Sequence, residues 1–113
     1  MIDRPDPALD ATFGGYLIKH SRPPAFEGAD GSAYSASLYV SDFPDEIGEF
    51  GAAILFVRWS TGGDRPVGHV ETPVVSRGAT REEASSGVEG LSLLEVKELL
   101  DEAIRVSKEH SDW

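Results

Sequence analysis

"AYSASLYVSD" (33–42) alternates apolar and polar residues with a period of two, and that period decides the fold class. On a strand, Tyr34, Ala36, Leu38 and Val40 share one face while Ser35, Ser37, Tyr39 and Ser41 share the other, so one side meets a core and the other meets water. Immediately upstream, "EGADGS" (27–32) places Asp30–Gly31 where a hairpin turn calls for positive φ. Downstream, the acidic "FPDEIGEF" (43–50) reads as a loop leading into "GAAILFVRWS" (51–60). This second strand is apolar on both faces, with Ala53, Leu55, Val57 and Trp59 on one and Ala52, Ile54 and Phe56 on the other until Arg58 interrupts it. A strand of that kind wants cover on both sides. "TGGDRP" (61–66) is a glycine-rich turn, and "VGHVETPVVSRG" (67–78) is a further strand in which Pro73 calls for a bulge or an edge.

Working back from this sheet, "FGGYLIKH" (13–20) contains the β-favouring run Tyr16, Leu17, Ile18 and predicts a first strand. The two prolines of "SRPPAF" (21–26) then predict a bend or an edge position, because neither can donate to a ladder. Residues 1–12, with Pro5, Pro7 and little apolar content, read as a flexible tail.

Beyond the strands the period changes to that of a helix. Thr80 with Glu83 three residues on is a capping-box signature, and Ala84, Val88 and Leu91 follow at helical spacing, with Gly90 suited to the end. Ser92 and Glu95 repeat the box, with Leu91 and Val96 placed as a hydrophobic staple. The last helix, about 93–109, collects Leu93, Val96, Leu100, Ala103, Ile104 and Ser107 on one face with Leu99 beside them. The expected architecture is therefore α+β: four antiparallel strands followed by two C-terminal helices packed on one face of the sheet, in a single domain over 13–110.

Bulk properties bound the function. A chain of 113 residues supports one core. It has no cysteine, which excludes disulfides, thiolate metal sites and a cysteine nucleophile. The start, "MIDRPDPALD", has acids and prolines where a secretion signal needs a basic and then an apolar region. No stretch approaches the roughly 18 apolar residues of a membrane span. A soluble, cytoplasmic protein is expected. The net charge of −10 repels nucleic-acid and anionic lipid phosphates and attracts basic surfaces, although acid-rich surfaces also arise from adaptation to salt. The partner classes are then a protein with a basic surface or a second copy of the chain, with no nucleic acid and no membrane.

Candidate chemistry is sparse, and no cofactor is expected. His69 and Glu71 leave the same face of one strand and form two thirds of a two-histidine, one-carboxylate metal site. His20 completes the set only if the first and fourth strands are neighbours, and the plain alternative for His69 and Glu71 is a polar cross-strand pair. The serines form no Gly-x-Ser-x-Gly elbow. "STGGDRP" (60–66) lacks the Gly-Lys-Ser/Thr ending of a phosphate loop, and Asp42, Asp45, Glu46 and Glu49 fail the spacing of a calcium loop. "GATREEA" (78–84) is similar to the Gly-Asp-Thr-x-Glu-Glu-Ala stretch that opens a helix in HicB-like antitoxin domains, over seven residues and with Ala79 in place of the aspartate. That resemblance implies a small protein that binds another protein.

Two helices cover one face of such a sheet, which leaves one side of the doubly apolar strand short of a lid. Ile54 and Phe56, with Tyr39 from the preceding strand, are the expected exposed patch and the candidate interface. The function expected from sequence is a non-enzymatic, acidic protein-interaction module, homodimeric in one version. The alternative is a small metal-binding protein using His69, Glu71 and His20.

Overall fold

The chain's structure is a computed structural model that describes residues 12–111. In chain order it runs α1 (Phe13–His20), β1 (Ala25–Glu27), β2 (Ala33–Val40), β3 (Phe50–Trp59), β4 (Pro66–Glu71), β5 (Ser76–Gly78), α2 (Arg81–Glu89) and α3 (Leu93–Ser111). The α+β class is as expected, with a five-stranded antiparallel sheet and three helices in place of four strands and two helices.

The largest difference is at 13–20, which is a helix and not the expected first strand. Thr12, assigned from sequence to the tail, is its N-cap and accepts from the Gly15 N–H at 3.0 Å. The remainder of the expected tail, residues 1–11, lies outside the described residues. Ser21 closes the helix in the left-handed region (φ 53°), its N–H reaching the Leu17 carbonyl at 2.9 Å, and Pro23 follows as a stop. Tertiary contacts overrule the β-favouring side chains here. Phe13 is fully buried and donates its N–H to the Leu91 carbonyl at 2.9 Å, which ties α1 to the link between α2 and α3. A Cβ added to Gly14 would stand 2.8 Å from Glu89 Cβ, so the glycine permits a close approach of α1 to the end of α2.

The sheet has the order β1-β2-β3-β4, with β5 also pairing with β3. β1 is a short edge strand joined to β2 by the expected hairpin, in which Gly31 takes φ 83° and the Gly28 N–H reaches the Ser32 carbonyl at 2.8 Å. β4 and β5 are one strand broken at Thr72–Pro73–Val74, since both lie along the same edge of β3. Leu55 faces Glu71 and Ala52 faces Ser76, so the broken strand carries two residues more than β3 over that span. Pro73 cannot donate, and the Thr72 hydroxyl repairs the ladder by accepting from the Ile54 N–H at 3.1 Å.

All the helical cover among the described residues is on one face. Tyr34 and Ala36 of β2 and Ala52, Ile54 and Phe56 of β3 pack with Phe13, Ala84, Val88, Val96, Leu100 and Ile104. Burial of a side chain such as Ile54 or Phe56 contributes about 1.5–3 kcal/mol each. Both helix starts carry the expected caps. Thr80 accepts from Glu83 N–H at 3.1 Å while the Glu83 carboxylate reaches back to Ala79 N–H, and Ser92 and Glu95 form a reciprocal box at 3.0 and 2.9 Å.

Candidate functional site

β2 and β3 turn a second face outward that no described helix covers. The register sets a small residue against a large one at each step of that face: Ala33 against Trp59, Ser35 against Val57, Ser37 against Leu55, and, reversed at the far end, Tyr39 against Ala53. The surface is consequently stepped, with a low row along β2 and a high row along β3. Trp59 is held by its indole N–H, which donates to the Ser35 hydroxyl at 3.0 Å. Beyond Tyr39 the surface continues into a shallow apolar groove lined by Tyr39, Phe43, Ala53 and Val74, with Phe43 80% exposed. Charge is confined to the margin: Glu27 on β1, Glu71 on β4, and the Arg77–Asp45 pair at 3.1 Å.

Of the candidate interface residues, Ile54 and Phe56 do not belong to this surface. Both are fully buried beneath the helices, because their side of β3 is the one that α2 and α3 cover. Tyr39 alone is exposed, at 58%, and it lies on the opposite face. A doubly apolar strand reveals that one side is open but not which. The outward partners missed by the sequence reading are Leu55, Val57 and Trp59, whose half-burial follows from the serines of β2 that pair with them.

The candidate metal set is also dispersed. His69 and Glu71 stand opposite Val57 and Leu55 on β4, while His20 sits at the end of α1, where its ring lies 4.2 Å from that of Tyr16. The first and fourth strands were to bring them together, and residues 13–20 are not a strand. Among the described residues no group of three or more histidine and acidic side chains converges as a metal site would require. Across the ladder His69 and Glu71 both meet apolar residues, so they do not form the polar cross-strand pair of the plain alternative either.

The acidic loop has a structural explanation. Asp45 Oδ1 accepts from the Ile47 and Glu49 N–H groups at 3.0 and 2.9 Å, and its Oδ2 accepts from Arg77. "TGGDRP" is a hairpin turn, with Gly63 at φ 73° and its N–H on the Ser60 carbonyl.

A second recess lies at the other end of the helical face. It is a cleft of about 590 Å³ between the β1–β2 turn, β3, β4 and α3, lined by Asp30, Tyr34, Arg58, Gly68, Val70, Ile104 and Lys108 among others. Tyr34 donates its hydroxyl hydrogen to Asp30 Oδ2 at 2.8 Å, and Asp30 Oδ1 accepts the Ser32 N–H at 3.1 Å. Burial, then the bond to Asp30, pushes the Tyr34 hydroxyl up to about 12. For Asp30 burial works to raise the pKa, but the Ser32 N–H, the Tyr34 hydroxyl and the Arg58 charge together hold it below the usual carboxylate value.

No protein-family model, curated protein or solved structure matches the chain. The seven-residue likeness at 78–84 is accounted for by the helix cap it forms. Among the described residues no helix is long and apolar enough to cross a membrane.

Proposed function

We propose that the chain is a non-enzymatic interaction module that pairs with a second copy of itself through the uncovered face of the sheet. The observation that carries this reading is the step between β2 and β3. A two-fold axis lying in the interface, parallel to the strands and between β2 and β3, lays the Leu55, Val57, Trp59 row of one copy in the Ala33, Ser35, Ser37 trough of the other, at the roughly 10 Å separation of packed sheets. The apolar centre and polar margin have the anatomy of an interface. A surface of this kind left in water is a liability for a small protein. Pairing leaves the helical layer outward, with exposed Glu82, Glu83, Glu89, Glu95, Glu98 and Glu102, and this field steers basic partners toward the dimer.

The test is the mass of the full chain in solution by sedimentation or light scattering, over a range of concentration and salt. A dimer is expected, and it should tighten with salt, because screening weakens the repulsion between two copies each carrying −10. Leu55→Glu with Val57→Glu should give a folded monomer with an unchanged circular dichroism spectrum. A chain that is monomeric at every concentration, or a dimer untouched by the double substitution, overturns the reading.

A further inference from the structure

Arg58 is the one charged side chain that β3 carries on the face its other inward residues make apolar, and it lies at the end of the core in the cleft described above. Its guanidinium rests over Gly68, the residue opposite it on β4: a Cβ at that position would stand 3.2 Å from Nη2 and 3.5 Å from Nε. Tyr34 is the residue opposite it on β2, and the Arg58 charge acts on the Tyr34 hydroxyl. Tyr34 gives its hydroxyl hydrogen to Asp30. Among the described residues Arg58 makes no direct ion pair, and both oxygens of Asp30, the acid that lines the cleft, are engaged by Ser32 and Tyr34.

A guanidinium has five N–H donors in a planar fork suited to a carboxylate or phosphate. Here that fork lines a recess that also holds a second cation, Lys108 of α3. Arg58 and Lys108 against Asp30 make this cleft locally cationic on a chain whose total is −10. Val70 and Ile104 supply apolar wall between them.

We propose that the cleft binds a small organic anion, with its oxyanion on the Arg58 guanidinium, Lys108 closing over it, and a short hydrocarbon portion against Val70 and Ile104. The Asp30–Tyr34 bond orients the site, because it takes up a carboxylate oxygen that would otherwise be open to a direct pair with the Arg58 guanidinium. This binding is independent of pairing through the opposite face of the sheet.

The experiment is a titration of the full, ¹⁵N-labelled chain with inorganic phosphate, with acetate and with hexanoate, each against sodium chloride at matched ionic strength. Saturable shifts at Arg58, Gly68 and Val70 that chloride does not reproduce are expected, with hexanoate binding more tightly than acetate if the apolar wall takes part. Phosphate stronger than hexanoate assigns the ligand to phosphate esters, and the reverse assigns it to carboxylic acids. Arg58→Gln should weaken binding about tenfold or more, the loss of a charge-assisted hydrogen bond. Lys108→Gln, at an exposed position on α3 outside the core, should weaken it severalfold, and so decides the matter if Arg58→Gln does not fold. Absence of saturable shifts with all three probes, or shifts that survive both substitutions, overturns the proposal.

Discussion

Tyr34 and Asp30 form a hydrogen bond of 2.8 Å that closes the β1–β2 hairpin onto the edge of the core, the ring being almost wholly buried and the carboxylate half-exposed. The bond makes the fold sensitive to pH at two ends. The Tyr34 hydroxyl is raised from 10.0 to about 12, so its contribution is complete below pH 10 and is lost as pH rises through about 12. Asp30 is lowered from 3.8, so its contribution is present above that value and is lost as pH falls through the lower, folded-state value. Tyr34→Phe should cost about 1 kcal/mol at neutral pH and should flatten the alkaline limb of a urea-midpoint profile taken across this range. An alkaline limb unchanged by the substitution would assign it to other groups.

Thr72 stands in for the backbone at the break between β4 and β5. Its hydroxyl is the partner of a buried amide, that of Ile54, in the most buried strand of the sheet. Thr72→Val keeps the shape and removes the acceptor, and should destabilise by about 1–3 kcal/mol, the cost of a buried donor left without a partner. Thr72→Ser should recover most of the loss. Amide exchange at Ile54 supplies the local readout: it should accelerate in the valine variant and not in the serine one.

The caps at Thr80 and Ser92 have independent roles and should show it. Each hydroxyl satisfies one amide at the start of its helix, and replacement by alanine should cost about 1 kcal/mol at each site. The Ser92 box also holds the link to which α1 is tied, through the Thr12–Ser92 bridge and the Phe13–Leu91 bond. Ser92→Ala should therefore expose α1 to faster amide exchange, whereas Thr80→Ala should not.

How much of this could be read from the chain depended on whether local pattern and tertiary context agreed. The alternation from Tyr34 to Ser41 and the paired caps at Thr80 and Ser92 are local signals with one physical interpretation, and the structure contains each of them. At 13–20 the local run Tyr16-Leu17-Ile18 favours a strand, while the deciding facts are distant: Leu91 accepting from Phe13, and Glu89 lying against Gly14. Thr12 as a cap with Phe13 and Leu17 one helical turn apart was the readable sign. The interface residues failed for a related reason. Ile54 and Leu55 are equally apolar, and only the placement of α2 and α3 over the Ile54 side distinguishes them. The cleft had a sign of its own in Arg58, a charge on the inward side of a strand, but the residues that share the cleft with it come from distant elements: Asp30 from the β1–β2 turn, Tyr34 from β2 and Lys108 from α3.

Gly87 sits inside α2, where intrinsic helix preference alone would favour alanine by about 1 kcal/mol. Contact with β5 opposes that preference. A Cβ at 87 would fall 1.9 Å from Ser76 Oγ and 2.7 Å from Ser76 Cβ, and while the hydroxyl can rotate away, the Cβ cannot without moving strand or helix. Gly87→Ala should therefore destabilise by about 1–3 kcal/mol, the usual cost of overpacking, in spite of its helix preference. Ser76→Gly removes both offending atoms at the expense of a weaker strand. In the double variant the alanine should become favourable, giving a coupling of about 0.5–3 kcal/mol between positions 76 and 87 in a denaturation cycle. Additive single effects would mean that α2 rides further from β5 than the packing of Gly87 on Ser76 requires, and the helical lid over the Ile54 side of β3 would then be looser than the burial of that face implies.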